Sequence, residues 1–411
     1  MAGHDPGNGM SPRAAWLLLA LVATSAPAGA TELHWRGYLD LRLRAGDGDS
    51  SSWRDGGLGK FPGGSAATAA VGATWQPAPA WQVAADWQLD SRATPVIGLL
   101  EGWVRYRPVS LTPWRWSVRA GSFFPPVSLE NDATGWTSPW TLSPSAINSW
   151  VGEELRSTGL EFRLERRFPT GVMEAGLAGF VGNDPAGELL ATRGWGIGDA
   201  TSTLGAWLRQ PDVIAPRKRS EPPIQFQPFV ETDGRVGWHA DLAWHDGGER
   251  RIALLHYDNR ADPASFDLQR DRRVFSWRTR FTSLGLRWPL GSSLVIVQAM
   301  AGDTAFQPRP DRYLSTSFDA AFLLWAWNVE GRWRPAVRLD LFRAREAGAT
   351  STDLDEHGRA LTASLAWRPS AQWRLSAEWI VLSGTGNQRP LEGLPPRGIE
   401  RQWQLSLRRL F

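Results

Sequence analysis

The chain has 411 residues, 42% of them hydrophobic, and a formal net charge of only +3, too small to argue for a nucleic-acid partner. It contains no cysteine, which excludes disulfides and thiolate-bound metals. Beyond the N-terminus no run approaches the ~20 apolar residues of a membrane helix, which rules out a helical membrane protein but not a barrel, whose interior residues dilute the hydropathy.

Residues 14–22, AAWLLLALV, form a short apolar core behind Arg13. Ala28-Gly29-Ala30 follows with the small-x-small spacing of a signal-peptidase site. This predicts a secretory signal peptide over 1–30 and an exported chain over 31–411, with Met1 and Met10 both eligible starts.

The exported part begins at once with alternation. Leu33, Trp35, Gly37, Leu39, Leu41 and Leu43 interleave with polar residues that include Arg36 and Arg42. A polar loop follows over 45–65. Its Asp47-x-Asp49-x-Ser51 hints at a calcium loop, but Ser52 and Leu58 stand where glycine and glutamate are needed. Period-2 segments then recur at 66–76, 80–90, 98–107 and 114–121. After a long connection, 122–153, they resume at 157–167 and 172–182. The connection over 183–233 carries Arg217-Lys218-Arg219, and its conformation is left open. Further segments lie at 235–245, 250–258, 274–288, 293–302, 315–327, 333–343, 359–367 and 372–382, before a final strand ending at Phe411. The total is sixteen, with short turns alternating with longer loops, as an antiparallel transmembrane barrel requires.

Two features sharpen this reading. The chain has 25 Trp against 4 Tyr, and Trp75, Trp81, Trp114, Trp116, Trp244, Trp288, Trp327, Trp333, Trp367 and Trp373 lie beside the short turns. An amphipathic indole belongs at a membrane–water interface, so this clustering predicts a girdle at one height. In the last strand Trp403, Leu405, Leu407, Arg409 and Phe411 alternate with Glu400, Gln402, Gln404, Ser406 and Arg408. A terminal Phe closing such a strand resembles the signal that bacterial outer-membrane barrels present to the barrel assembly machinery, although Arg409 departs from the usual aromatic or aliphatic residue. The fold class expected is therefore all-β, a sixteen-stranded transmembrane barrel in the bacterial outer membrane.

Barrels of ~16–18 strands enclose a water-filled channel, which predicts passive diffusion of small hydrophilic solutes and ions. The stretch from Gly121 to Asn131, GSFFPPVSLEN, resembles the entry to the third loop of the phosphate-selective porins and their relatives. GYLDLRLR at 37–44, Asn183–Gly187 and Tyr257–Arg260 are similar to those relatives too. The resemblance implies a homotrimer of sixteen-stranded barrels whose third loop folds inward to narrow the pore. Phosphate specificity does not follow, because residues 122–152 contain no Arg or Lys but do contain Glu130 and Asp132. Parity instead puts Arg105, Arg107, Arg115 and Arg119 on the lumen wall. An acidic loop facing that basic wall would set up a transverse field, and because lumen carboxylates nearly balance the arginines only a weak anion preference is expected. Neutralisation of those arginines by Glu101, Glu161 and Glu165 is the competing arrangement. The pore-lining set expected is thus Arg36, Arg42, Arg105, Arg107, Arg115, Arg119, Glu130 and Asp132, with no cofactor, metal or catalytic group.

The alternative function is a barrel hydrolase. If the turn 246–249 closes its hairpin evenly, His239 and His256 face each other in the lumen beside Asp241. No serine is placed next to them by motif.

Overall fold

The computed structural model describes residues 32–48, 50, 64–209, 225–270, 272–348, 356–386 and 388–411. The signal segment 1–30, Asp49 and Ser51 of the calcium-like motif, and the basic cluster at 217–219 lie outside the described residues. Asp47 itself accepts from the backbone N–H of Arg401 at 2.6 Å.

Sixteen antiparallel strands close into one barrel. In chain order they are β1 (Glu32–Gly46), β2 (Ser65–Ala78), β3 (Trp81–Asp90), β4 (Ile97–Tyr106), β5 (Trp114–Phe123), β6 (Ser157–Phe168), β7 (Gly171–Val181), β8 (Gly237–His245), β9 (Arg251–Asp258), β10 (Arg278–Leu290), β11 (Ser293–Arg309), β12 (Arg312–Trp327), β13 (Trp333–Gly348), β14 (Glu356–Trp367), β15 (Trp373–Thr385) and β16 (Arg397–Leu410). β16 pairs with β1 from Tyr38↔Leu410 to Gly46↔Gln402, so the sheet keeps no free edge. All sixteen elements fall where the sequence pattern puts them. Two stretches differ: residues 274 and 275, expected to open β10, pair with 267 and 266 in a separate two-stranded sheet, and residues 303–314, expected as a loop, continue β11 and β12 to a tight turn at Pro310-Asp311.

Alternation explains the two faces. Leu39, Leu41 and Leu43 are exposed on the outside, as are Trp403, Leu405 and Leu407. Their neighbours Asp40, Arg42, Gln402, Gln404 and Ser406 are buried on the inside. Near the short turns the aromatic rings form a band. Trp81, Tyr106, Trp116 and Phe162 follow one another at centroid spacings of 4.9, 5.7 and 6.4 Å. Trp244–Trp288 and Trp333–Trp367 continue it at 6.4 and 5.8 Å. A closed barrel with an apolar exterior and an aromatic girdle is solvated by a bilayer, and the chain is a bacterial outer-membrane barrel.

The C-terminus is tied into the wall. Phe411 and Gly37 exchange backbone hydrogen bonds at 2.9 and 3.1 Å. A Cβ on Gly37 would fall 2.3 Å from the Phe411 ring, so only glycine leaves room for it. Arg409 faces outward too, its guanidinium 5.8 Å from the Trp373 ring centroid. Its apolar stem and cation–π contact suit it to the interface.

Candidate permeation pathway

The inner face divides into two sectors. From β9 to β13 it is largely apolar, with Leu255, Tyr257, Phe281, Ile296, Met300, Phe318, Phe322 and Leu324 all buried. From β3 to β8 it is charged, presenting Asp86, Glu101, Arg105, Arg119, Glu161, Arg163 and Asp241 among others.

The connection between β5 and β6 packs on the apolar sector. Pro125 and Pro126 cannot donate to a ladder, and they end β5. Further on, Ser145 caps a helix, α1 (Ala146–Glu154), by accepting from the Asn148 N–H at 3.3 Å. Every residue of α1 is buried. Trp150 lies 5.5 Å from Phe281 and 5.3 Å from Phe318, centroid to centroid, inside one cluster with Val127, Leu129, Ile147 and Val151. Side chains of the wall hold the backbone of this segment. Asp340 accepts from the Ala146 N–H at 3.0 Å, where the helix dipole favours a carboxylate. Glu378 accepts from the N–H groups of Leu142 and Ser143 at 2.6 and 3.0 Å. Gln298 donates to the Val127 carbonyl at 2.9 Å.

A second segment braces the first. The Ser149 hydroxyl donates to the Gly198 carbonyl and accepts from its N–H, and the Trp195 indole donates to the Ala146 carbonyl at 2.9 Å. Asp199 receives Arg42, Arg44 and Arg92 together. Arg156, fully buried, donates to carbonyls of Leu100, Leu155 and Ser202 and stacks on Phe124 with 3.2 Å from guanidinium carbon to ring centroid. Buried Glu154 accepts from the Trp150 indole at 2.6 Å and the Leu189 N–H at 3.0 Å. Burial raises its pKa to about 7, and burial beside Glu154 raises that of Glu188 well above the usual range.

The expected acidic loop facing a basic wall does not form. Glu130 has no exposed surface; it lies 3.6 Å from Arg338 on β13 and accepts from Ser145 and Asn148. Arg338 also pairs with Asp340 at 2.8 Å and donates to carbonyls of Ser143 and Pro144, so the buried carboxylates share a cation. Asp132 pairs with Arg287 on β10. Glu130 therefore meets the wall opposite to the arginines of β4 and β5, and Asp132, paired on that wall, also borders a cavity shared with Arg36, Asp86 and Glu101. Arg42 is likewise only 6% exposed, held between Asp40 and Asp199, so neither it nor Glu130 meets an aqueous lumen. The rule of alternation gave the correct face, but it could not reveal that loops cover half of that face.

The remaining residues of the expected set lie in or beside the charged sector. Arg36 is well exposed and reaches Asp86 at 3.5 Å. Glu165 takes Arg107 at 2.9 Å and Glu161 takes Arg119 at 2.8 Å. Neutralisation thus reaches two of the four wall arginines. Arg105 and Arg115 have no carboxylate partner among the described residues. Between this wall and residues 124–136 lies a cavity of about 250 Å³, lined by Arg105, Ser117, Arg119, Asn131, Glu161 and Arg163. A second, of about 130 Å³, lies between Arg36, Asp86, Glu101 and Asp132.

The histidine pair does not assemble. His239 pairs with Tyr257 in the register, and His256 with Ala240. The turn is one residue longer than an even closure would make it, and a one-residue slip sends a side chain to the other face. His256 therefore lies outside, 2.9 Å from the Thr282 hydroxyl and against Trp238, while His239 is buried inside. Among the described residues, three carboxylates that converge elsewhere, Asp184, Glu231 and Asp233, accept from backbone N–H groups of their own loops.

No protein-family model and no curated protein matches this sequence. Solved structures do. OmpF of Salmonella typhi, in complex with daunomycin, aligns over 93% of this chain and 98% of its own with a TM-score of 0.53 at 10% identity. The outer membrane channel DcaP of Acinetobacter baumannii aligns over 94% and 99% with a TM-score of 0.52, also at 10% identity. OmpT of Vibrio cholerae, an outer membrane protein in a trimer form, aligns over 93% and 100% with a TM-score of 0.51 at 10% identity. At such identity the likeness establishes the barrel architecture.

Proposed function

We propose that this chain is an outer-membrane porin for passive diffusion of small hydrophilic solutes and ions, with a weak preference for anions. The observation that carries this reading is the charged sector of β3 to β8, where ionised side chains border cavities. The 124–156 segment is then the constriction: it covers the apolar sector and displaces the water path toward the arginine wall. Arg105 and Arg115, without carboxylate partners, favour anions; Arg36, Arg107 and Arg119 are balanced by Asp86, Glu165 and Glu161. Phosphate specificity is not part of the proposal. A homotrimer is, by analogy with the trimer form of OmpT of Vibrio cholerae. Phe411, seated on Gly37, acts as the assembly signal read before insertion.

Single-channel recording of the purified protein in planar bilayers tests this. Discrete conductance steps are expected, and replacing residues 133–148 with a short Gly/Ser link should enlarge them. A correctly inserted barrel with no steps would overturn the porin reading. Unchanged steps after trimming would put that segment outside the conducting path.

A further inference from the structure

We propose that the 250 Å³ cavity between β4–β6 and residues 124–136 is a binding subsite for a small monocarboxylate with an aromatic or apolar body. The inference rests on the porin reading above for the route by which a solute arrives. Three observations converge on it.

Charge comes first. Three guanidinium groups line the cavity against one carboxylate, Glu161. Arg163 is held by Asp241 at 2.9 Å and Arg119 by Glu161 at 2.8 Å, whereas Arg105 has the Gln82 amide oxygen and the Trp103 ring, 5.5 Å away, but no carboxylate among the described residues. Arg105 and Arg119 stand directly opposite each other in the β4–β5 register. Like charges so placed repel, and an anion between them relieves the repulsion.

Unmade hydrogen bonds come second. The Nε–H groups of Arg105 and Arg119 are buried without an acceptor. Buried polar groups left unpaired are costly, and a planar carboxylate matches the guanidinium fork.

The third is the opposite wall. Phe124, Pro125, Pro126 and Trp136 line it; both faces of the Phe124 ring are already covered, by Trp136 at 4.4 Å and Arg156 at 3.2 Å, which leaves the prolines, the Phe124 edge and the rest of Trp136 as the apolar surface. Inorganic phosphate or chloride gains nothing from that surface; a ring does. Glu161 at the edge disfavours a second carboxylate on the same molecule.

The test uses full-length barrel folded in detergent, with calorimetric titration of benzoate, acetate and inorganic phosphate, alongside bilayer currents from the same preparation. Benzoate is expected to bind about tenfold more tightly than acetate or phosphate, a difference of about 1.4 kcal/mol. Arg105→Gln should weaken benzoate binding about tenfold, and Arg105→Lys should weaken it less, keeping charge without the fork. Arg343→Gln, the same charge change at an exposed pair with Asp319, should leave binding as in the parent. Equal binding of benzoate and acetate, or equal loss in the Arg105 and Arg343 variants, would overturn the subsite. Channel currents without benzoate binding would remove the subsite and keep the pore. Benzoate binding without currents would do the opposite.

Discussion

Arg338 and Arg107 sit on the same inner face of the same barrel in different surroundings. Arg338, on β13, is fully buried among Asp340, Glu130 and loop carbonyls. Arg107, just past the end of β4, keeps a third of its side chain exposed beside Glu165. The contrast extends to the sectors around them: β9 to β13 meet α1 in a packed core, while β3 to β6 border cavities. Parity in a strand decides inside from outside; what fills the inside is decided by the loops. A barrel interior can thus be half protein core and half conduit, and the boundary follows the chemistry of the inward residues.

The largest expected effects separate the two sectors by stability. Arg338→Met leaves Asp340 and Glu130 buried without their cation, and should cost about 3–5 kcal/mol, read as a lower midpoint of denaturant unfolding. Arg107→Gln should cost no more than about 1 kcal/mol by the same measurement, as expected of a partly solvated pair. Equal losses would erase the distinction. Trp150→Ala removes the ring at the centre of the packed half, a change that typically costs about 3–5 kcal/mol. It should also enlarge or destabilise the conductance steps, because α1 loses its anchor on Phe281 and Phe318.

A smaller effect depends on pH. The Glu154 pKa is raised to about 7 in the fold, so the folded segment binds a proton more tightly than the unfolded one. Its contribution is fully present below the ordinary glutamate value of 4.5 and is lost as pH rises through about 7. Glu188, displaced in the same direction, reinforces the trend. Conductance noise from loosening of the packed half should therefore grow between pH 5 and pH 8, and Glu154→Gln should flatten this dependence. Unchanged pH dependence in that variant would assign the effect elsewhere.

The smallest expected effect is on selectivity. Replacing Arg105, Arg107, Arg115 and Arg119 by Gln should move the zero-current potential toward cations. The shift should fade in concentrated salt, as the Debye length drops from ~10 Å at 0.1 M to ~3 Å at 1 M. An unshifted potential in dilute salt would place these side chains outside the ion path.

Sixteen strands, their faces and the aromatic band were legible because period 2 and Trp placement are local signals. The packed half is legible only in part. Ala320–Trp327, AAFLLWAW, and Leu294–Val297, LVIV, are apolar on both faces. A strand facing lipid outside and carrying Phe322, Leu324 and Ile296 inside needs apolar cover there. Other features were beyond reach. Nothing near Glu130 in sequence announces Arg338, 208 residues away, and the slip that turns His256 outward depends on one extra residue in a turn. Long-range pairing across a lumen leaves no local pattern.

The central claim is that water occupies the charged sector and is excluded from the apolar one. With no native cysteine, each introduced thiol is unique, and a charged, water-soluble thiol reagent reports where water reaches. Ser128→Cys, partly exposed, borders the charged cavity and Ala320→Cys lies in the packed core. Under single-channel recording, the reagent should react with the thiol at 128 and reduce the current, while the thiol at 320 stays unreactive and its current unchanged. Equal reaction at both positions, or full reaction at 128 with no change in current, would contradict the account.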